Sequence, residues 1–595
     1  MYISYEDEFN INKNNAIFFE LSGKNYFFWS SDPHFIGRFS DSIKTEFEKY
    51  DSLESFLNDF IHDFCGAVIE DKKVILFASL FYPTRYYLYK KEGRWWFTNN
   101  ADELLQIDKT KNFNNYELLY FLLNGYTTAF SVFYKNWYKL LPGEVISPLE
   151  ISDNYQQRLE HNLFFKRLIK NTVKRKNLAV FDNTFDEVLK KIVKGKNRIG
   201  VLFSGGADST YVLLKLLSLI KDKTSVTALI FFNKKFSTIN GCDDKSKAVH
   251  FLEEHNIKYE IIDPLNSETL DASMLQNITA LPFDSHLSLW LGGAVRSISA
   301  KYDLLITGQN ADSIYNFGPT ARLDFKNIIR KRSLYSAGMG EFLKRSLYET
   351  QNLNAFKWKN KKFALFAKLK FLLSVYHLDN RMLSKMNYRD FLIGFFCQSN
   401  YIPYVYSNMF KNITTRNGMD VFFTKTDELV QGVQKYGFSS KIDLLSLKLL
   451  SYIQGSDSMV MKGIGNKSNC SVSFPFTEPE AISFFSSYEL LYRDTVHPKK
   501  CIYEFLDKNN IDLPKQMIKN TNYMTGKQAL HLVNTVVFEL LNKNSEYVLS
   551  IIKKMPDIIN KEYLIQEFFN YIDDREYNTD LIFRLLWLSV TFYLL

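Results

Sequence analysis

The sequence predicts an α+β domain at the amino terminus, then an α/β domain built on a doubly wound parallel sheet with a largely helical carboxyl-terminal part. Three observations carry this. Residues 1–150 read as short segments rich in β-branched and aromatic residues, separated by charged or Gly/Asn turns. From residue 198, apolar strands alternate with helices, as in a parallel sheet covered on both faces. Beyond residue 317 the pattern is almost wholly helical.

The early strands are NAIFFELSG, NYFFWSS, CGAVIED, KVILFASL, RYYLYKK and RWWFTNN, with helices expected near residues 52–62 and 116–124. LLPGEVISP ends this domain, 1–155, with a Pro-Gly turn into one more strand. Residues 156–197 turn helical and basic (KRLIKNTVKRKN, FDEVLKKIVKGK) and read as a helical linker. RIGVLFSGGADSTYVLLKLLSLI then gives a buried strand, a Gly turn and a helix. VTALIFF, YEIID and DLLITGQNADS add strands, and AVHFLEEHN adds a helix, so the second domain is placed at 198–595. No internal repeat occurs.

The length of 595 residues allows roughly two to four domains. With 46% hydrophobic and 16% aromatic residues the chain is too apolar to be disordered, and 13 Pro and 25 Gly exclude collagen-like classes. The five cysteines are dispersed and contain no CxxC pair. Neither a disulfide framework nor a cysteine zinc site is expected, and a reducing cytoplasm fits. MYISYEDEFNINKNN carries acids and no apolar run, unlike a secretory signal. LIFRLLWLSVTFYLL, interrupted by Arg584, is too short to span a bilayer and reads as a buried terminal helix.

SGGADS at 204–209 lies between an apolar strand and a helix. Gly205 and Gly206 let the backbone turn sharply and approach a ligand, and the helix amino terminus offers unpaired N–H groups. Ser204 and Ser209 add hydroxyls, and Asp208 suits a divalent cation bridging phosphate oxygens. The parts suit a polyphosphate with Mg²⁺. No Gly-x4-Gly-Lys-[Ser/Thr] occurs, so this is not a Walker-type loop. The bland alternative is a tight turn with a serine cap.

The stretch resembles the pyrophosphate-binding loop of the PP-loop ATP pyrophosphatases, which split ATP to AMP and pyrophosphate while adenylating a substrate. Gly308-Gln309-Asn310-Ala311-Asp312, ending a later strand, resembles the GxGxD element of the asparagine synthetase and β-lactam synthetase family. That resemblance implies Mg²⁺ on Asp208 and Asp312. It also implies ATP contacts from Phe203, Ser204, Gly205, Gly206, Asp208 and Ser209, and from Ile230, Thr307 and Gly308. Residues 64–105 are similar to the core strands of the family's amidotransferase-like domain. FNNYELLYFLLNGYTT and YKLLPGEVI resemble its closing helix and turn, and SYIQGSDSMVMKGI and VSFPFTEPEAISFFSSY resemble the helical region over the synthetase cleft. The implied architecture is a class II glutamine-amidotransferase-like, Ntn-type sandwich, followed by a PP-loop synthetase domain.

The departures are informative. Glutamine-dependent members carry Cys at position 2, and here it is Tyr2. A phenol with a pKa of about 10 does not replace a thiolate, so no glutaminase activity is expected. The position of Gln309 holds Glu in asparagine synthetases and Tyr in β-lactam synthetases. A carboxamide orients a carboxylate or amine but accepts no proton at neutral pH. Asn310 stands where the family prefers Gly, and Ser313 where it prefers Glu. The family's leaving-group lysine corresponds to LPKQMIKNTNYMTGKQ, where Asn522 falls nearest by eye and Lys519 is the assignment. Asp284 and His286 in PFDSHLS read as a structural acid and a capping or core histidine.

A basic insert at 322–389 holds 16 Lys and Arg against four acids, net +12, so the rest of the +9 chain sums to −3. It reads either as solvated amphipathic helices or as a surface for an acidic partner at the rim of the ATP site. The resemblance therefore implies an ATP-dependent amide synthetase that adenylates a substrate carboxylate for attack by a substrate amine. Lasso-type peptide macrolactam formation, with a precursor peptide and its processing protease as partners, leads. An amide ligase on another small molecule or polysaccharide, a tRNA-modifying PP-loop enzyme and an inactive binding homologue remain as alternatives. Nucleic acid is not the expected partner, because the first domain is amidotransferase-like.

Overall fold

A computed structural model describes most of residues 3–163, residues 178–232, 244–263, 286–311 and 410–434, most of 461–481, and residues 500–512 and 545–594. The amino-terminal strands are β1 (Ile3–Glu6), β2 (Glu8–Ile11), β3 (Ile17–Leu21), β4 (Lys24–Trp29), β5 (Cys65–Glu70), β6 (Lys73–Ala78), β7 (Tyr87–Lys91), β8 (Arg94–Thr98), β9 (Trp137–Lys139) and β10 (Val145–Ile146). Besides the β1–β2 hairpin they form two antiparallel sheets, ordered β10-β6-β5-β4-β3 and β8-β7-β9. β3 turns into β4, and β7 into β8, through two residues of positive φ each: Ser22 and Gly23, then Glu92 and Gly93. Such turns match the natural strand twist and set the register.

Alternation along each strand sorts the side chains into layers. Phe27, Trp29, Ala67, Leu76 and Ala78 of one sheet share a core with Leu88, Trp95, Phe97 and Tyr138 of the other. Trp29 meets Phe97 edge-on across the gap, with centroids 6.2 Å apart. Tyr26 and Phe28 point the opposite way, onto Phe47 and Phe56 of the helices Ile43–Phe47 and Leu53–Asp59. Beyond the second sheet, Asp108, just after helix Ala101–Ile107, accepts the Trp137 indole N–H at 2.9 Å. The two sheets thus pack face to face, with helices on the outer side of the first.

A buried polar network ends this unit. Arg158, on helix Tyr155–Glu160, grips Glu144 through Nε (2.9 Å) and Nη2 (2.8 Å) and donates from Nη1 to the Phe130 carbonyl at 2.9 Å. Glu144 in turn accepts the Leu141 N–H at 2.7 Å, closing the Pro142-Gly143 turn, and Asn162 donates to the Pro142 carbonyl at 2.8 Å. Nearby, Glu117 accepts from Tyr155 Oη at 2.6 Å and from Thr128 N–H at 2.7 Å. Burial pushes the Glu117 carboxyl above its ordinary value, with Lys139 pulling the other way. Contacts of the first unit thus extend through residue 163. Glu428 and Lys425, on helix Arg416–Gln434, reach the Tyr155 N–H (3.4 Å) and the Asp153 carbonyl.

The second sheet contains β11 (Ile199–Leu202), β12 (Val226–Phe231), β13 (Tyr259–Ile262), β14 (Leu304–Thr307) and β15 (Ser471–Ser473). All pairings are parallel, in the order β13-β12-β11-β14-β15. IGVL and LLIT are buried at every position, as strands covered on both faces must be. The chain runs outward from β11 to β13 and then crosses back to β14. The order therefore reverses between β11 and β14, where such sheets open a crevice at their carboxyl ends.

β15 corrects the expectation of an almost wholly helical chain beyond residue 317. The apolar-polar alternation of Cys470-Ser-Val-Ser-Phe474 is cut off at Pro475, and pairing beside β14 makes a strand of its three central residues. The carboxyl-terminal helix Thr579–Leu594 is buried over most of its length, and its Arg584 donates to the Leu122 carbonyl at 2.8 Å. That carbonyl lies in the last turn of helix Asn115–Asn124, where carbonyls lack intrahelical partners. Among the described residues, no helix is long and apolar enough to cross a membrane.

Candidate functional site

The pairing of Leu202 with Thr307 brings two loops together at the reversal point, because each leaves the carboxyl end of one of two adjacent strands. The first loop is 203–206. Phe203 extends β11 by donating its N–H to the Leu229 carbonyl at 2.9 Å, and its buried ring stacks on Phe251 at 5.8 Å. Ile230, on neighbouring β12, is also buried. Gly205 has φ +72, a conformation that disfavours any side chain and turns the chain back into helix Ala207–Leu219.

Gly206 is the N-cap of that helix, and no side chain caps it. The positive end of the helix dipole therefore faces the loop at Gly206. Ser209 is committed to the loop itself. Its Oγ accepts the Ser204 N–H at 3.2 Å, donates to the Gly206 carbonyl at 3.1 Å and lies 3.1 Å from Ser204 Oγ. Ser204 is exposed and Ser209 buried, and Ser204 Oγ also accepts the Gly206 N–H at 3.4 Å, so both hydroxyls brace the turn while Ser204 borders solvent. Asp208 stands in the first helical turn, half-buried, with Oδ1 shielded from solvent.

The second loop follows β14. Thr307 is buried, and its Oγ1 accepts the Gln309 N–H at 3.1 Å. Gly308 lies directly on the first loop's helix. A Cβ there would stand 3.0 Å from the Asp208 carbonyl carbon, 3.0 Å from Ser209 N and 3.2 Å from Asp208 Cβ. Gln309 is half-exposed beside this contact. Asn310 has φ +69. Asparagine tolerates this left-handed conformation better than other side chains, which gives a physical reason why it can stand where glycine is expected.

The structure therefore brings together Phe203, Ser204, Gly205, Gly206, Asp208 and Ser209 with Thr307, Gly308 and Gln309, and places Ile230 on the adjoining strand. Tyr2, Asp284, Asp312, Ser313, Lys519 and Asn522 lie outside the described residues, as does the insert 322–389, and His286 begins helix His286–Ile298. A carboxylate with one shielded oxygen, a glycine cradle and an uncapped helix fit Mg²⁺ with a phosphate chain, since Mg²⁺ uses one or two carboxylates plus phosphate oxygens. Among the described residues no three metal-ligating side chains cluster, and this mode of binding needs none.

Two polar side chains behind the loop escape a reading of the sequence by motif. Tyr211 and Lys215, on the buried side of helix Ala207–Leu219, reach Asp182 and Asp186 of helix Leu178–Val193. The readable signal is a lysine inside the apolar run VLLKLLSL, facing an Asp-x3-Asp spacing. No protein-family model matches this chain, and no curated protein matches it significantly.

Proposed function

We propose that the chain is an ATP-dependent amide-bond-forming synthetase without glutaminase activity. A substrate carboxylate is adenylated, releasing pyrophosphate, and a substrate amine then displaces AMP. The observation that carries this reading is the contact of Gly308 with the Asp208 backbone at the strand reversal, which joins two motifs that resemble one family's ATP site. Within that class, lasso-type peptide macrolactam formation agrees best with Tyr2 and Gln309, since the amine belongs to the substrate and Gln309 orients it without taking a proton.

Asp208, with Asp312, would hold Mg²⁺, which supplies charge neutralisation for the departing pyrophosphate. The first-turn amides and the Ser204 hydroxyl bind phosphate oxygens, while Ser209 keeps the loop in shape. Phe203 and Ile230 form an apolar wall on the nucleotide side, and Lys519 is assigned to charge on the leaving groups. Holding acid and amine in one site supplies effective molarity.

Exchange of labelled pyrophosphate into ATP, in the presence of candidate peptide carboxylates, tests the proposal. Exchange that disappears in Asp208→Ala supports it. A wild-type chain that neither binds Mg·ATP nor exchanges with any carboxylate would overturn it, and full activity in Asp208→Ala would remove the metal assignment.

A further inference from the structure

The loop's helix is held from behind by a ladder that its ligand-binding role does not by itself require. Tyr211 Oη donates to Asp182 Oδ1 at 2.7 Å, and Lys215 Nζ lies 2.6 Å from Asp186 Oδ1. The second pair is a charge contact rather than a directed hydrogen bond. Both pairs keep one offset between helices Leu178–Val193 and Ala207–Leu219, so the two helices run parallel in fixed register. A slip of half a turn would break both pairs at once.

The same two side chains also grip a third helix, Lys500–Lys508. The Tyr211 ring meets Phe505 edge-on at 5.0 Å, and Lys215 Nζ stands 5.4 Å from the Phe505 ring centroid. The Lys215 side chain is 7% exposed and lies between Asp186 and the Phe505 ring. A leucine there would satisfy the core at lower desolvation cost, so a buried ammonium points to a demand for one fixed pairing with Asp186. Asp208, Tyr211 and Lys215 follow one another at helical spacing, so axial or rotational drift at Lys215 is passed to Asp208 through a rigid helix.

We infer that Lys215 and Tyr211 are positioning residues for the nucleotide loop, fixing the depth and rotation of its helix through Asp186 and Asp182. The inference rests on the reading of that loop as a pyrophosphate site. It assigns the helix Leu178–Val193 a part in nucleotide binding although none of its side chains need touch the ligand.

The test uses the full-length chain and two probes, Mg·ATP and Mg²⁺ with inorganic pyrophosphate, titrated calorimetrically. Melting of the ligand-free chain reports folding. Lys215→Met, Asp186→Asn and Tyr211→Phe are each expected to weaken both probes about tenfold, within the usual range for coupled positions, and Lys215→Arg to restore most of the loss. Asp186→Asn is decisive. Removing a negative charge near the loop tightens anion binding if only the field matters, and weakens it if register matters. Tighter binding in that variant overturns the inference. So do affinities within about twofold of wild type in folded Asp186→Asn and Tyr211→Phe, even if Lys215→Met fails to fold. A wild-type chain that binds neither probe overturns the pyrophosphate reading itself, and this inference with it.

Discussion

Gly308 lies against the backbone of Asp208 so closely that a methyl group at position 308 would stand 3.0 Å from the Asp208 carbonyl carbon. The two residues belong to loops far apart in sequence, on strands β14 and β11, and each constrains the other. The glycine is needed because the aspartate's helix begins there. The helix can begin there because the residue opposite has no side chain.

Gly308→Ala should therefore act on the site before it acts on the fold. Both near atoms are backbone, so the added methyl displaces the loop's helix rather than a flexible side chain, at an overpacking cost of about 1–3 kcal/mol. The expected result is a lowered Tm together with a Kd for Mg·ATP raised by about tenfold or more, for about 1.4 kcal/mol of lost binding energy. Calorimetric titration beside thermal melting checks it, and unchanged affinity would contradict it.

Asn310 makes the opposite prediction. Its left-handed conformation means that Asn310→Gly is tolerated, whereas Asn310→Val costs about 1–2 kcal/mol in backbone strain. Urea unfolding of the two variants should separate them in this order. A valine variant as stable as wild type would show that the turn rearranges freely.

How legible these features are depends on their range. IGVL and LLIT announce buried strands because they are short apolar runs, with Thr307 as the one polar residue, and SGGADS announces a turn because two glycines follow such a run and Gly205 takes φ +72 at no steric cost. Asn310 reads as a departure, since sequence does not display φ. β15 is hidden because its alternation, Cys470-Ser-Val-Ser-Phe474, is short and stops at Pro475, and its strand state is completed by β14. The Arg158–Glu144 pair and the Lys215–Asp186 pair are hidden for a different reason. Each charge looks like an ordinary solvated residue until packing removes the water.

Mutations of the Arg158–Glu144 pair should be strongly non-additive. Its side chains are 0% and 2% exposed, so removing either partner strands a charge, at a cost of about 3–5 kcal/mol. Arg158→Met and Glu144→Gln are each expected to be severely destabilised, and the double variant less so than their sum. Urea unfolding of the four-member cycle measures the coupling. A sum equal to the double variant would mean that the carbonyls of Phe130 and Lys139, rather than Glu144, hold the guanidinium.

Glu117 sets a pH dependence whose sign runs against the common case for carboxylates. Burial raises its pKa in the folded chain above the ordinary 4.5, despite Lys139 and the hydrogen bonds from Thr128 and Tyr155. Between the two values the folded chain holds a proton that the unfolded chain has released. Unfolding is then favoured by rising pH, and stability from this group is fully present below pH 4.5 and is lost as pH climbs to the folded pKa. The slope for one proton is at most about 1.4 kcal/mol per pH unit. Glu117→Gln mimics the protonated acid in size and lacks the titration. Urea midpoints across that window should therefore fall with pH more steeply in wild type than in the variant. The difference should level off once the folded pKa is passed. Parallel curves would place the ionised carboxylate in the folded core, paired with Lys139.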